Sequence, residues 1–182
     1  MTDDPVTSVV LAGIGGQGIV TASNILSDAL RRHGYDVKKS EIHGMSQRGG
    51  SVCSDVRFGR RVMSPMVPVG TADYLVVMEP TQVGPNRHVL RQDGVLITPD
   101  TAAYAIESNS DEPDPKAEKL LNVALLGVLS AYLDVPGACW MAALRGNLSE
   151  RLHDMNIKAF IRARTVETMA RLVTDASKPN RR

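Results

Sequence analysis

At 182 residues, with 43% hydrophobic and 23% charged side chains, the chain is long enough for one domain with a sizeable core. Its 21 basic and 20 acidic residues leave a formal charge of +1, so no broad electrostatic field supports binding to nucleic acid or to a membrane surface. Aromatics are only 4%, which argues against a base-stacking platform. The two cysteines, Cys53 and Cys139, form no Cys-x-x-Cys pair and no metal-ligand cluster; they read as buried free thiols in a reducing compartment. The acidic start Met1-Thr2-Asp3-Asp4-Pro5 lacks the positive region of a secretory leader, and no apolar run reaches ~18 residues. The expectation is a cytoplasmic chain with a single domain over 1–182 and a core from about 9 to 173.

Residues 8–12 (SVVLA) form a β-branched apolar run stopped by glycine, as expected of a strand buried on both faces. A helix over 19–32 follows, with Ile19, Ala22, Ile25, Leu26, Ala29 and Leu30 on one stripe. Arg31, Arg32 and His33 occupy its last turn and Gly34 ends it. A second strand is expected over 35–42, a loop over 43–50 and a third strand over 51–58. Gly59-Arg60-Arg61 reads as a turn, and the Pro-rich 61–69 as extended. Residues 73–78 (DYLVVM) form another buried strand ended by Glu79-Pro80. A helix or turn then leads to Leu90, and Asp93-Gly94 precedes a strand over 95–98.

The stretch 107–115 (ESNSDEPDP) is acidic, polar and Pro-containing, and reads as an exposed loop. A helix over 116–133 is apolar around most of its circumference, which suggests burial by its own sheet plus a partner chain. Another helix starts near Pro136-Gly137. A last one lies within 149–173, with Phe160, Ile161, Val166, Met169 and Leu172 expected inward. Strands alternating with helices give the fold class: α/β, a three-layer, Rossmann-like, mostly parallel sheet with helices on both faces.

Two Gly-rich loops carry the candidate chemistry. Gly13-x-Gly15-Gly16-Gln17-Gly18 sits between a strand and a helix, with the spacing of a dinucleotide-binding turn. Its glycines allow close backbone approach, and the helix N-terminus offers free N–H groups and partial positive charge to an anion. Glu41 lies near the place of a ribose-binding acid, but a polar Gly-rich loop follows it. That second constellation, Ser40-Glu41-Ile42-His43-Gly44-Met45-Ser46-Gln47-Arg48-Gly49-Gly50-Ser51, would bring its loop to the first at one sheet edge if strands one and two were parallel neighbours. Arg48 offers a forked donor for phosphate or carboxylate, or an interface ion pair. His43 reads as a hydrogen-bonded structural histidine before it reads as a proton shuttle.

Taken in order, GIGGQG, SEIHGMSQRGGSV, SPMVP, ADYLVVMEP, NVALLG and NIKAF resemble the gamma-type module of the 2-oxoacid:ferredoxin oxidoreductases. The likeness is nearest the small, beta-type subunits of the indolepyruvate branch, and runs from about Val9 to Ala163. It implies a subunit rather than an independent enzyme. Enzymes of this family decarboxylate a 2-oxoacid on thiamine diphosphate, pass electrons through iron–sulfur clusters to ferredoxin and release an acyl-CoA. This chain has neither a GDG thiamine signature nor cysteine runs for clusters, so a larger partner must supply both cofactors.

Under the resemblance, Gly13, Gly15, Gly16, Gln17 and Gly18 form one loop, and Glu41, His43, Gly44, Gln47, Arg48, Gly49 and Gly50 the other. Both would face CoA, the partner's thiamine site or the partner chain itself. No catalytic residue and no metal ligand is assigned, and the final acceptor is ferredoxin or a related carrier. The competing readings are a stand-alone NAD- or FAD-binding protein of Rossmann type and a non-catalytic assembly module.

Overall fold

In the computed structural model, which describes residues 5–43, 50–106 and 117–176, one five-stranded sheet organises the chain. The strands are β1 (Thr7–Ile14), β2 (Asp36–His43), β3 (Ser51–Gly59), β4 (Ala72–Val77) and β5 (Leu90–Ile97), in the order β2-β3-β1-β4-β5. The β1–β4 and β4–β5 pairs are parallel, whereas β3 is antiparallel to both its neighbours. Four strands therefore point one way and β3 points back. The expected adjacency of β1 and β2 is not formed. A short loop joins β2 to β3, so the two pair as a hairpin, and β3 takes the place beside β1.

Alternation along β1 splits the core in two. Val9 and Leu11 face the larger helical layer, with α1 (Ile19–Arg32) directly on the sheet. Beside and behind it lie α3 (Pro99–Ile106), α4 (Ala117–Ser130), α5 (Gly137–Asn147) and α6 (His153–Ala176). Val10 and Ala12 face the other way, onto Leu75, Val77 and Leu90. That side is closed by the short helix α2 (Val83–Asn86), its flanking 3-10 turns and the segment 61–70, through Val83, Val89 and Val67. Helices thus lie on both faces, but very unequally.

The segment 61–70 is pinned by the strands beneath it. Asp36 accepts from the Val62 amide at 2.8 Å, and Asp55 from the Val67 amide at 2.9 Å. Arg57 donates to the carbonyls of Ser64 and Met66. The Lys38 hydrogen bond, then the Val62 amide, holds Asp36 below the usual carboxylate range, whereas burial pushes Asp55 up.

Several expectations need correction. β5 begins at Leu90, so Asp93-Gly94 lies inside a strand rather than in a turn before it. The pairing jumps from Ala72↔Leu90 to Tyr74↔Val95, and a Cβ on Gly94 would fall 2.5 Å from Leu90 Cδ1 and 3.0 Å from the Ala72 carbonyl oxygen. Glycine at this irregularity leaves room for the Leu90 side chain and the Ala72 carbonyl. Helix α3 has no counterpart in the sequence reading, and the acidic 107–115 stretch lies outside the described residues. Helix α4 needs no partner chain to cover it: Val123 to Leu129 are buried against α6, α3, α1 and the sheet of the same chain.

The largest correction concerns α6. Phe160 is fully buried, but Ile161, Val166, Met169 and Leu172 are exposed. The inward face is Asn156, Ala159, Phe160 and Ala163, and beyond Ala163 it becomes polar. Arg164 donates to the Val135 carbonyl at 3.3 Å. Glu167 accepts from the Tyr132 hydroxyl at 2.6 Å. Arg171 donates to the Ala131 carbonyl and stacks 4.1 Å from the Tyr132 ring centroid.

Burial, then the Glu167 hydrogen bond, pushes the Tyr132 hydroxyl up to about 12 from its ordinary 10.0. Folding therefore holds this proton. The stabilisation is complete below the unfolded value and is lost as pH rises through about 12. Burial pushes the Tyr74 hydroxyl up as well, so alkaline titration followed at 295 nm should show late-ionising tyrosines of which Tyr132→Phe removes the last step; an unchanged curve would mean that Glu167 does not hold the Tyr132 hydroxyl.

Candidate functional site

The carboxyl ends of β1, β4 and β5 open onto a cleft of about 540 Å³. β1 leaves through α1 toward β2 and β3, whereas β4 and β5 lie on its other side. Loops diverging in this way leave a crevice at the carboxyl edge of an open α/β sheet. Its walls carry Gly16, Gln17 and Gly18 from the first loop, Glu79 from the end of β4 and Asn122 from α4.

The first loop folds by glycine geometry and one glutamine. Gly16 (φ 101°) and Gly18 (φ 80°) are left-handed, a conformation costly for other residues. The Gln17 side chain curls back so that its Oε1 accepts from the Ile14 amide at 2.8 Å, while its Nε2 donates to Glu79 at 3.1 Å. Gly13 makes room for this, because a Cβ there would lie 2.8 Å from Gln17 Oε1. Gln17 thus ties the loop to itself and to the end of β4. Helix α1 starts at Gly18 without a side-chain cap, so the N–H groups of its first turn have no intrahelical acceptor. The Asn122 amide approaches the Gly18 carbonyl at 3.4 Å.

The second loop is anchored at the same edge. Gly15 donates its amide to the Gly50 carbonyl at 3.0 Å, and His43 ends β2 opposite Val52. The remaining expected members, Gly44, Gln47, Arg48 and Gly49, lie outside the described residues. Glu41 is on β2 and pairs with Lys39 at 2.6 Å. With β3 between β1 and β2, Glu41 does not sit beside the first loop as a ribose-binding acid would. The stand-alone dinucleotide reading loses its acid for this reason.

Glu79 and Asn122 were missed by sequence reasoning. Glu79 carried a faint signal, as the polar residue ending a buried strand. Asn122 carried only the oddity of an amide in an apolar helix. A second cavity of about 420 Å³, lined mainly by Leu120, Leu148, Leu152 and Met155, shares Asn122 with the first. On this sheet edge the chemistry is a wall of backbone donors facing a wall with one carboxylate. Among the described residues no group of three His, Cys, Asp or Glu side chains could hold a metal ion, and no helix is long and apolar enough to cross a membrane. Cys53 donates to the Asn86 side chain, and burial raises its thiol.

Comparison with known proteins follows the same line. Residues 8–166 match the family described as pyruvate ferredoxin/flavodoxin oxidoreductase. The indolepyruvate oxidoreductase subunit IorB of Thermococcus kodakarensis is 46% identical over 91 residues, covering 50% of this chain and 45% of that one. The chain therefore spans about half the length of that relative in the match. The IorB of Archaeoglobus fulgidus is 32% identical over 183 aligned positions, covering 84% and 90% of the two chains.

Among solved structures, the gamma subunit of a keto/oxoacid ferredoxin oxidoreductase from Geobacter sulfurreducens has the same fold (TM-score 0.71, 19% identity, 91% and 98% coverage). So does part of the 2-oxoglutarate:ferredoxin oxidoreductase of Magnetococcus marinus, solved with 2-oxoglutarate, coenzyme A and succinyl-CoA (TM-score 0.70, 18% identity). There the match covers 90% of this chain but only 31% of the other. With a family match spanning most of its length and a relative aligned along nine-tenths of its own, the chain belongs to the pyruvate ferredoxin/flavodoxin oxidoreductase family.

Proposed function

We propose that this chain is the small subunit of a 2-oxoacid:acceptor oxidoreductase that oxidatively decarboxylates an aryl- or indole-type 2-oxoacid. CoA takes up the acyl group and ferredoxin or a related carrier takes the electrons. A larger subunit holds thiamine diphosphate and the iron–sulfur clusters. The residues here do not fit an iron–sulfur cluster: the two cysteines are far apart in sequence, and Cys53 is engaged with Asn86. No step of the decarboxylation is assigned to this chain.

Its own contribution is the Gly-rich edge, placed beside the partner's thiamine and CoA site. The observation that carries this is the cleft between the uncapped start of α1 and Glu79. An anionic group suits the α1 terminus, and an amide N–H suits the Glu79 carboxylate. CoA offers both, in its phosphates and its pantetheine amides. Arg48, in the adjoining loop, would add a forked donor to the same anion.

The test uses the assembled enzyme. Arg48→Ala should raise KM for CoA about tenfold or more, equal to loss of one charge-assisted hydrogen bond, with the complex intact on a sizing column. If the complex falls apart instead, Arg48 is an interface ion pair and not a CoA ligand.

A further inference from the structure

Helix α6 is amphipathic in the reverse sense over its second half. The side chains facing the protein are Arg164, Glu167 and Arg171, held by the Val135 carbonyl, Tyr132 and the Ala131 carbonyl. Those facing outward at helical spacing are Ile161, Thr165, Met169 and Leu172, with Val166 at the margin. Met169 is 62% and Leu172 66% exposed. A helix that merely closed its own domain would turn its aliphatic side chains inward. The polar clasp fixes this one the other way round and presents an ordered apolar stripe.

We infer that this outward face of α6 is the docking surface for the larger subunit. The inference rests on the subunit reading proposed above. Three observations select that occupant. First, in the longer Magnetococcus chain the matching fold makes up only 31% of the length, whereas in the Geobacter gamma subunit it makes up 98%. A separate chain must hold by surface contact what the longer chain holds by covalent connection.

Second, the stripe is continuous with a basic end. Lys158 and Arg162 lie on the same outward side and are exposed. Glu167, the one acidic residue between Ile161 and Thr174, is turned inward to Tyr132. On this same face a second copy would offer one exposed carboxylate, Asp154, to the two exposed cations Lys158 and Arg162. The complementary surface is an apolar patch flanked by carboxylates on a different chain.

Third, α4, the other candidate for partner contact, is already buried within this chain. Stable interfaces need about 800 Å² per partner, so α6 is the apolar centre of a wider contact that includes this basic end.

The chain is to be co-expressed with the larger oxidoreductase subunit encoded in the same genome. Wild-type chains should co-elute, and Met169→Glu combined with Leu172→Glu should weaken association at least 100-fold while circular dichroism and the free chain's elution volume stay unchanged. In parallel, unmodified protein is exposed to dilute peroxide: Met169 should oxidise in the free chain and be protected at least tenfold in the complex.

Co-elution of the double variant, or equal oxidation of Met169 free and bound, overturns the α6 assignment and leaves the subunit reading standing. Loss of a homodimer on mutation overturns it in favour of a second copy. Failure of the wild-type chains to co-elute removes the subunit reading itself, and the α6 assignment with it. If the double variant misfolds, the peroxide result alone decides.

Discussion

Gly127→Leu is expected to cost more than about 3 kcal/mol of folding stability, read as a large fall in the urea midpoint. Gly127 lies where α4 crosses α6. A Cβ at this position would stand 2.5 Å from the Phe160 carbonyl oxygen, 2.8 Å from Ala163 Cβ and 3.2 Å from the Phe160 carbonyl carbon. The nearest obstacle is backbone, so no rotamer change relieves it and α6 itself must move away. That separates Phe160 from Trp140, whose rings now sit 5.2 Å apart in the fully buried centre of the helical layer.

Gly127→Ala should fall between wild type and leucine. It regains about 1 kcal/mol of helix propensity but meets the same carbonyl. An unchanged midpoint for the leucine variant would mean that the α4–α6 contact is looser than its geometry indicates. Because α6 carries the proposed docking face, the leucine variant should also lose association, whereas the Met169 and Leu172 charge variants lose association alone.

Gly18→Ala has the largest expected effect on the site. At φ 80° an alanine pays roughly 1–2 kcal/mol that glycine does not. Its Cβ would also lie 2.3 Å from the Asn122 amide nitrogen, at the end of a side chain that can swing away. The stability loss should therefore stay near the strain figure, a fall of roughly 2–8 °C in Tm. Asn122 would be displaced from the wall shared by the two cavities, and the α1 terminus would tilt. A misplacement of this size can cost about 100-fold in turnover with CoA. The measurement is CoA-dependent steady-state kinetics on the assembled enzyme, beside a thermal melt of the chain. If turnover is lost only in proportion to unfolded protein, Gly18 is a folding residue and the cleft is not part of the active site.

The two loops show how much of the site can be read from residue order. The strand–Gly-rich turn–helix unit is local. Its glycines serve left-handed turns a few residues apart, and α1 spans the same Ile19–Arg32 that its apolar stripe and terminal arginines indicate. Gln17, too, bonds within its own loop at Ile14. The meeting of Gly15 with Gly50 needs two strands in register, and the loop spacing alone suggested it through the wrong neighbour. Glu79 and Asn122 reach the cleft only because β4 lies beside β1 and α4 crosses the start of α1.

What the sequence determined by itself was whatever a window of about fifteen residues can encode: the α/β class, the first loop, the boundaries of α1, and the family likeness carried by ordered motifs. What only the tertiary structure decided was which face of an element is inside. Helix α6 has an apolar stripe, and apolarity alone assigns that stripe to the core. The core was already filled by α4, while Tyr132 and the Val135 and Ala131 carbonyls offered hydrogen-bond partners to Arg164, Glu167 and Arg171. Burying those polar groups is favourable only when they are paired, and the pairing turned Ile161, Met169 and Leu172 outward. The strand order has the same kind of cause. A hairpin between β2 and β3 satisfies their backbone groups locally, and the hairpin then joins β1 through β3.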